Sequence, residues 1–244
     1  MKATYQSEKP ALFLLINLEK DSKKLEKSLL EAKDAEIELI RIRAIDGTSL
    51  LEKSSFGFAK EVEACWASHL SAYKYLLSTE YTSAIIFEDD FKIENCKNIV
   101  GTICEFQKQE FDLLQLGFLS IGIRVRISQM LINLETLLLR ILSWTLSAIP
   151  FFRSKISSRL RIQRIAKTPK GLIPNDFQPG THAYIISRQL ADEIVSNYSN
   201  FMVPTDGFLQ MLAQAGGIKS FRVRRSLVNQ YKYADSMRLN KERI

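Results

Sequence analysis

The stretch ALFLLINL, residues 11–18, is a continuous apolar run with the length of one β-strand. A strand with one face in water alternates apolar and polar residues, whereas a strand covered on both faces does not. The run therefore predicts a strand that is buried on both faces. A helical pattern follows over residues 21–35, with Ser22 as its N-cap. The apolar face of this helix carries Leu25, Leu29 and Leu30.

Strand and helix patterns continue to alternate along the chain. Strand patterns cover residues 37–45, 83–87, 111–116, 183–186 and 218–223, and helical patterns cover residues 61–78, 98–108, 188–198, which Ser187 caps, and 207–215. This order predicts an α/β fold with a Rossmann-type, mostly parallel sheet flanked by helices. Because 244 residues can bury a sizeable core, we expect a single domain over residues 1–244. Ligands of such sheets bind beyond the carboxyl ends of the strands.

The composition is that of a soluble globular protein, with 46% hydrophobic and 25% charged residues. It excludes a disordered tail, a collagen-like chain, a disulfide-rich small domain and a polytopic membrane protein. Cys65, Cys96 and Cys104 form no C-x-x-C pair, which favours reduced thiols over a disulfide framework or a zinc finger. The two histidines, His69 and His182, are too few for a histidine-rich metal site.

The net charge of +7 comes from one segment. Residues 122–170 hold ten basic residues and one acidic residue, which gives the segment a charge of +9 and leaves −2 for the rest of the chain. Within it, residues 127–149 have helical amphipathicity, Pro150 ends the pattern, and seven cations follow from Arg153. We interpret residues 122–170 as a basic amphipathic helical insertion. We expect no nucleic-acid partner, because no RNA-recognition or zinc-finger motif is present and no aromatic residues interleave with the arginines.

Two interpretations of this insertion remain open. In the first, the helix lies in a membrane interface, with Trp144, Phe151 and Phe152 inserted and the cations on an anionic membrane surface. In the second, the helix packs on the sheet beside a solvated basic loop. The longest uncharged run, residues 141–152, is shorter than the roughly 18 residues of a spanning helix. Because residues 1–10 are polar and unlike a signal peptide, the first interpretation predicts a cytoplasmic protein that is peripheral on the inner membrane face.

Three carboxylates follow an apolar strand pattern in AIIFEDD, residues 84–90. Glu88, Asp89 and Asp90 repel one another when ionised, and a divalent cation removes that cost. Mg²⁺ and Mn²⁺ take oxygen ligands, commonly one or two carboxylates together with substrate phosphates. Such an ion activates a phosphate leaving group. Taken alone, the triplet also suits a helix cap or a solvated turn.

Six short motifs, in a fixed order, give the chain a resemblance to a known family. They are INLE at 16–19, AIDG at 44–47, C-x-x-S-H-x-x-x-Y-K at 65–74, FEDD at 87–90, GTHAYIIS at 180–187 and PTD at 204–206. Together they resemble glycosyltransferase family 25, the bacterial lipooligosaccharide-biosynthesis glycosyltransferases, which are similar to the collagen galactosyltransferases.

The resemblance implies a GT-A-like fold and an inverting, metal-assisted glycosyltransferase. Its donor would be a UDP-sugar, with galactose as the expected sugar, and its acceptor a lipooligosaccharide, a lipopolysaccharide or another surface glycan. Asp90 and Glu88 would bind Mn²⁺ or Mg²⁺, and Asp206 would be the general base that takes the acceptor proton. The donor-binding residues that the resemblance implies are Asn17, Glu19, Asp46, Ser68, His69, Glu88, Asp89, Gly180, Thr181 and His182.

Several alternatives remain open at this point. Asp206 also suits a helix N-cap, and His69 also suits a hydrogen bond within the core. Lys20 and Ala64 depart from the Arg and Gly that are usual in the family, and residues 119–175 match no family motif. The alternative function is a non-catalytic, membrane-associated protein that binds a nucleotide sugar or glycan on the same scaffold. A phosphoryl-transfer enzyme is disfavoured, because no glycine-rich phosphate loop is present.

Overall fold

The computed structural model describes residues 12–50, 59–95, 99–119, 171–174, 177–200, 204–215 and 217–231. The strands are β1 (Leu12–Asn17), β2 (Ile40–Arg43), β3 (Ser83–Glu88), β4 (Phe91–Ile93), β5 (Leu113–Gly117), β6 (Leu172–Pro174), β7 (Ala183–Ser187), β8 (Ser220–Val223) and β9 (Val228–Gln230). The α-helices are α1 (Ser22–Asp34), α2 (Lys60–Leu77), α3 (Ile99–Gln107), α4 (Arg188–Tyr198) and α5 (Thr205–Ala215), and Gly47–Ser49 form a 3-10 helix.

Seven of the described strands form one sheet in the order β2-β1-β3-β7-β5-β8-β6. β1 pairs in parallel with β2 and β3, and β5 pairs in parallel with β8. β7 lies between β3 and β5 and runs antiparallel to both, and β6 runs antiparallel to β8. Five of the seven strands therefore share one direction, so the prediction of an α/β fold with a largely parallel sheet is confirmed. β4 and β9 form a separate two-stranded ribbon.

Both faces of the sheet are covered by helices. Along β1, Leu14 and Ile16 belong to a core cluster that includes residues of α2, α4 and α5, whereas Leu15 belongs to a second cluster that includes residues of α1 and α3. Alternate residues of a strand point to opposite faces, so each face of β1 has its own helical cover. This confirms the prediction from residues 11–18 and explains why the run carries no polar alternation.

The structure corrects the prediction for the first helix. Leu29 and Leu30 are 48% and 57% exposed, and the buried residues of α1 are Ser28 and Ala32. The small side chain of Ser28 lets the helix approach the turn after β3, where its hydroxyl donates to the Asp89 carbonyl. The N-cap is Asp21 rather than Ser22, and it makes no side-chain capping bond. Ser187, by contrast, accepts from the Leu190 backbone N–H and caps α4 as predicted.

The basic insertion, residues 122–170, lies outside the described residues, so its two interpretations stay open. None of the described helices combines the length and the apolar character that a bilayer crossing requires.

Candidate active site

Four polar or small residues meet at one edge of the sheet. Asn17, Glu88 and Gly117 stand at the carboxyl ends of β1, β3 and β5, and His182 precedes β7. Since β7 runs in the opposite direction, its beginning lies at the same edge as those three carboxyl ends. The edge is where α/β sheets bind their ligands.

Glu88 is held by side chains from two other segments. Its Oε1 accepts a hydrogen bond from the Thr181 hydroxyl and lies 3.3 Å from Nε2 of His69. Its backbone N–H donates to the His182 carbonyl at 3.3 Å. Burial alone would raise the pKa of Glu88, but the hydrogen bonds and the charge of His69 lower this pKa to about 2. Glu88 is therefore a carboxylate with a fixed orientation.

His69 connects Glu88 to two tyrosines of the core. The imidazole is 1% exposed, and its Nδ1 lies 2.7 Å from the Tyr184 hydroxyl, which lies 2.8 Å from the Tyr73 hydroxyl. Burial disfavours the imidazolium, but hydrogen bonds with Cys65 and Glu88 raise the pKa of His69 to about 9. Burial also raises the pKa of both tyrosines. The tyrosines fix the imidazole plane, so Nε2 points toward Glu88.

Asp89 turns away from Glu88 and toward α1. Its Oδ2 accepts from Nδ2 of Asn17 at 2.8 Å, and its Oδ1 pairs with Nζ of Lys24 at 3.5 Å. Burial raises the pKa of Asp89, while Lys24 and Asn17 oppose that rise. Oδ1 of Asn17 is buried and has no hydrogen-bond partner among the described residues. Asp89 thus ties the end of β3 to α1.

Asp90 carries an unsatisfied buried oxygen. Its Oδ2 accepts from the side-chain amide of Gln230, and its carbonyl accepts from the Tyr231 N–H at 2.6 Å. Its Oδ1 is buried without a hydrogen-bond partner in the described part of the chain. Burial and the charge of Glu88 raise the pKa of Asp90 to about 7. A buried carboxylate oxygen with free lone pairs is a suitable ligand for a hard cation.

Asp206 is connected to the same edge of the sheet by its hydrogen bond to the segment before β7. It lies in the first turn of α5, where its Oδ1 accepts from the Gly207 N–H at 2.9 Å and its Oδ2 accepts from the Gly180 N–H at 3.4 Å. The next residue, Thr181, bonds to Glu88. Cys65 Sγ also lies 3.8 Å from Oγ1 of Thr205. The predicted base and the predicted metal ligand are therefore linked by two consecutive residues.

Three other predicted donor-binding residues make bonds that hold local structure. Asp46 caps the 3-10 helix by accepting from the Thr48 N–H, and Lys20 pairs with it at 2.6 Å and lowers the pKa of Asp46 to about 2. Glu19 forms an exposed pair with Arg43 at 3.1 Å. Ser68 is the third of these residues, and its hydroxyl accepts from the Ile45 N–H and donates to the Ala64 carbonyl.

Two residues of β5, which the sequence analysis missed, shape the edge. Gln115 is fully buried, and its amide donates to the carbonyls of Gln178 and Gly180, each at 2.8 Å, and accepts from the Gln178 N–H at 2.8 Å. A Cβ at Gly117 would lie 2.6 Å from Nε2 of His182. The sequence feature that could have indicated these two residues is a glutamine and a glycine within the otherwise apolar strand DLLQLG at 112–117. A polar side chain in such a strand needs hydrogen-bond partners inside the protein.

His182 presents a free nitrogen to the site. Its Nε2 lies 3.1 Å from the Val228 carbonyl, which can only accept, so Nε2 carries the proton. Nδ1 is then a lone-pair acceptor, and it is buried with no partner among the described residues. Burial lowers the pKa of His182. The backbone of Gly180, at φ +107°, lies close to Nδ1 of His182. A Cβ at position 180 would lie only 3.1 Å from this nitrogen, and a residue with a side chain rarely adopts that φ.

A cavity of about 1000 Å³ lies at the opposite edge of the sheet, and its walls include Asp112, Arg188 and Lys219. The charged groups of these residues already have partners: Asp112 accepts from the Lys219 N–H, Lys219 pairs with Glu110, and Arg188 donates to backbone carbonyls. We therefore place the candidate site at the Glu88 edge.

An α/β sheet that places the carboxylates of Glu88, Asp90 and Asp206 beyond its strand ends makes the chain a candidate enzyme. A family model described as glycosyltransferase family 25 (LPS biosynthesis protein) matches residues 11–209, and the chain belongs to this family. The predicted family is thereby confirmed. Membership of this family makes the protein a glycosyltransferase of lipopolysaccharide biosynthesis, a class that acts on a sugar donor and a glycan acceptor.

No individual curated protein matches the chain. Among solved structures, the chain is similar to the crystal structure of A197 from STIV, with 11% identity and a TM-score of 0.43 over 93% of this chain and 86% of that chain. A likeness this distant carries no argument about function.

Proposed function

We propose that the protein is an inverting glycosyltransferase that moves galactose from a UDP-sugar donor to a lipooligosaccharide, lipopolysaccharide or other surface-glycan acceptor, with the assistance of a divalent metal ion. The observation that carries this proposal is the buried Oδ1 of Asp90, which lacks a partner among the described residues and lies two residues from the oriented carboxylate of Glu88. The GT-A-like character of the fold is part of the proposal.

Asp90 and Glu88 would hold Mn²⁺ or Mg²⁺. Their carboxylates belong to the ligand class that these ions prefer. Bound there, the ion would neutralise charge on the departing diphosphate. Thr181 and His69 keep Glu88 in place, and the Gln230 amide keeps Oδ2 of Asp90 occupied, so that Oδ1 stays available.

Asp206 would take the proton from the acceptor hydroxyl as the new bond forms. The N–H groups of Gly180 and Gly207 orient its carboxylate, and Thr181 links that segment to Glu88. Inversion by a single displacement requires such a base on the acceptor side. The donor-binding residues that we propose are Asn17, Glu19, Asp46, Ser68, His69, Glu88, Asp89, Gly180, Thr181 and His182.

A ligand screen tests the proposal. UDP-, GDP- and CMP-sugars are added with Mn²⁺, and both the melting temperature and the release of nucleotide diphosphate or monophosphate are measured. We expect UDP-galactose to raise the melting temperature and to be hydrolysed slowly. Asp90→Asn should lose the shift, whereas Asp192→Asn, a change at an exposed carboxylate, should keep it. The absence of a shift with every nucleotide sugar would contradict the proposal.

Asp206→Asn separates catalysis from binding. We expect this variant to keep the UDP-sugar shift and to lose turnover, because the amide cannot accept the acceptor proton. If the wild type binds a UDP-sugar without turnover, and Asp206→Asn changes nothing, the protein is instead a non-catalytic nucleotide-sugar or glycan-binding protein on the same scaffold.

The proposed location is the inner face of the cytoplasmic membrane. Residues 122–170 carry a charge of +9, which favours contact with an anionic lipid surface. Peripheral attachment would place the enzyme beside a glycolipid acceptor.

A further inference from the structure

Three side chains with different metal-ligating atoms converge inside the edge described above. Sγ of Cys65, a ring nitrogen of His69 and a carboxylate oxygen of Glu88 all lie within 4.8 Å of one another. Cys65 and His69 are four residues apart on α2, so both side chains leave the same face of the helix. Glu88 reaches them from the end of β3.

The ligand set differs from the one that Mn²⁺ or Mg²⁺ prefers. Those ions select oxygen ligands, whereas a thiolate and an imidazole together with one carboxylate favour Zn²⁺. Tetrahedral bonds of about 2.0–2.3 Å place zinc ligand atoms about 3.5 Å apart. Nε2 of His69 and Oε1 of Glu88 are already 3.3 Å apart, and Sγ of Cys65 would have to come to a similar distance from both atoms.

The surroundings of the three ligands also suit a metal ion. The Tyr184 hydroxyl lies 2.7 Å from Nδ1 of His69 and can accept a hydrogen bond from Nδ1–H. A metal ion would then bind Nε2 and displace the proton that Nε2 shares with Glu88. Thr181 donates to the same oxygen of Glu88, Oε1, and thereby orients the carboxylate. Partners of this kind, which orient the ligands, strengthen metal binding. Cys65 is half-buried and the Glu88 side chain is 25% exposed, so an ion can reach them from solvent.

We propose that Cys65, His69 and Glu88 form a zinc-binding site with one coordination position left open to solvent or to a ligand. The site differs from the Asp90 position in two of its ligands, Cys65 and His69, but both sites would use Glu88. Zn²⁺ bound here would therefore compete with a metal held by Asp90 and Glu88. The binding itself does not depend on the proposed transfer reaction.

Cobalt substitution in the full chain tests the site directly. Co²⁺ bound to a thiolate gives a charge-transfer absorption that oxygen-only sites lack, and the spectrum needs no nucleotide sugar. We expect this absorption to saturate at one equivalent of Co²⁺ and to disappear when one equivalent of Zn²⁺ is added. Cys65→Ser should abolish the absorption. Cys104→Ser is the matched control and should retain it, because Cys104 is exposed on α3 and is not in the proposed site.

Alkylation of the unaltered protein provides a second measurement that does not depend on the folding of a variant. Zn²⁺ should slow the reaction of Cys65 with iodoacetamide severalfold and leave the rate at Cys104 unchanged, as followed by peptide mass spectrometry. Thiolate-to-cobalt absorption that is absent or survives Cys65→Ser would overturn the proposal. Equal alkylation of Cys65 with and without Zn²⁺ would also overturn it.

Discussion

At the scale of single residues, Gly117 leaves no room for a larger side chain. In Gly117→Ala, the added Cβ would lie 2.6 Å from Nε2 of His182 and would also collide with the Val228 carbonyl. Because the second atom belongs to the backbone, relief requires a shift of a strand or of the imidazole. We expect a loss of about 1–3 kcal/mol in the free energy of unfolding, measured by chemical denaturation.

The matched control for this change is Gly217→Ala, since a Cβ at Gly217 would meet no atom within 4 Å. It should leave the free energy of unfolding almost unchanged. Equal stability of the two variants would show that the approach of β5 to His182 is looser than described.

Asp90 should make stability depend on pH in the absence of metal. Its pKa of about 7, against 3.8 in an unperturbed carboxyl, means that the folded protein retains a proton that the unfolded chain has released between about pH 4 and pH 7. The contribution of Asp90 to stability therefore falls as the pH rises through this window. Asp90→Asn, which is neutral throughout, should melt at a higher temperature than the wild type at pH 8 in EDTA, and at a similar temperature at pH 4.

Asp192→Asn serves as the comparison, because its carboxylate is exposed on α4, and the melting temperature of this variant should follow the wild type across the pH range. A lower melting temperature for Asp90→Asn at pH 8 would contradict the assignment of Asp90 as a destabilising buried charge.

At the scale of the elements, one arginine joins the end of α2 to the beginning of α4. The guanidinium of Arg188 donates to the carbonyls of Leu76, Thr79 and Tyr81 from Nη1 and to that of Leu77 from Nη2. Leu76 and Leu77 belong to the last turn of α2, where carbonyls lack intrahelical partners, and Arg188 donates to both. It thereby fixes where α2, which carries Cys65 and His69, ends relative to the sheet.

We expect Arg188→Lys to lower the free energy of unfolding by about 1–3 kcal/mol, because a single ammonium cannot reproduce the planar set of donors and leaves carbonyls unsatisfied. Chemical denaturation measures the loss. Arg225→Lys, at an exposed position, should have no comparable effect. If both variants unfold alike, Arg188 does not hold the two helices together.

At the scale of the whole molecule, the separation of charge predicts binding to anionic vesicles. Replacement of the seven cations from Arg153 to Lys170 by Gln should abolish flotation with phosphatidylserine vesicles at low salt, because it removes the attraction to the headgroups. The wild type should float with these vesicles, less so in high salt, and should not float with neutral phosphatidylcholine vesicles.

A variant with Gln at three exposed lysines elsewhere, Lys23, Lys33 and Lys74, controls for a general loss of positive charge and should still float. Equal flotation of the wild type and the variant that lacks the seven cations would favour the alternative, in which the basic insertion does not bind lipid.

The sequence predicts the large elements of this fold because their burial leaves regular patterns. Strand β1 is apolar from Leu12 to Ile16 since both faces are covered, and α2 carries an apolar stripe over eighteen residues. The ribbon of β4 and β9 and the edge strand β6 have three residues each, too few to show a period. The antiparallel placement of β7 depends on tertiary packing, which a strand pattern does not encode.

The individual roles within the acidic triplet were beyond sequence reasoning for a similar reason. Glu88, Asp89 and Asp90 are chemically alike, and their differences come from distant partners: His69, Lys24 and Gln230. Gln115 was missed because a single polar residue in an apolar strand does not reveal which backbone groups it will bind.

The insertion of β7 between β3 and β5 has a consequence for synthesis on the ribosome. The strands on either side emerge first, and each keeps an open hydrogen-bonding edge until residues 183–187 leave the exit tunnel. A nascent or prematurely terminated chain that ends before residue 181 would lack both Thr181 beside Glu88 and the strand that joins β3 to β5, and its exposed edges would favour aggregation. Residues 181–187 therefore decide whether the strands that precede them join into one sheet or remain exposed to chaperones and proteases.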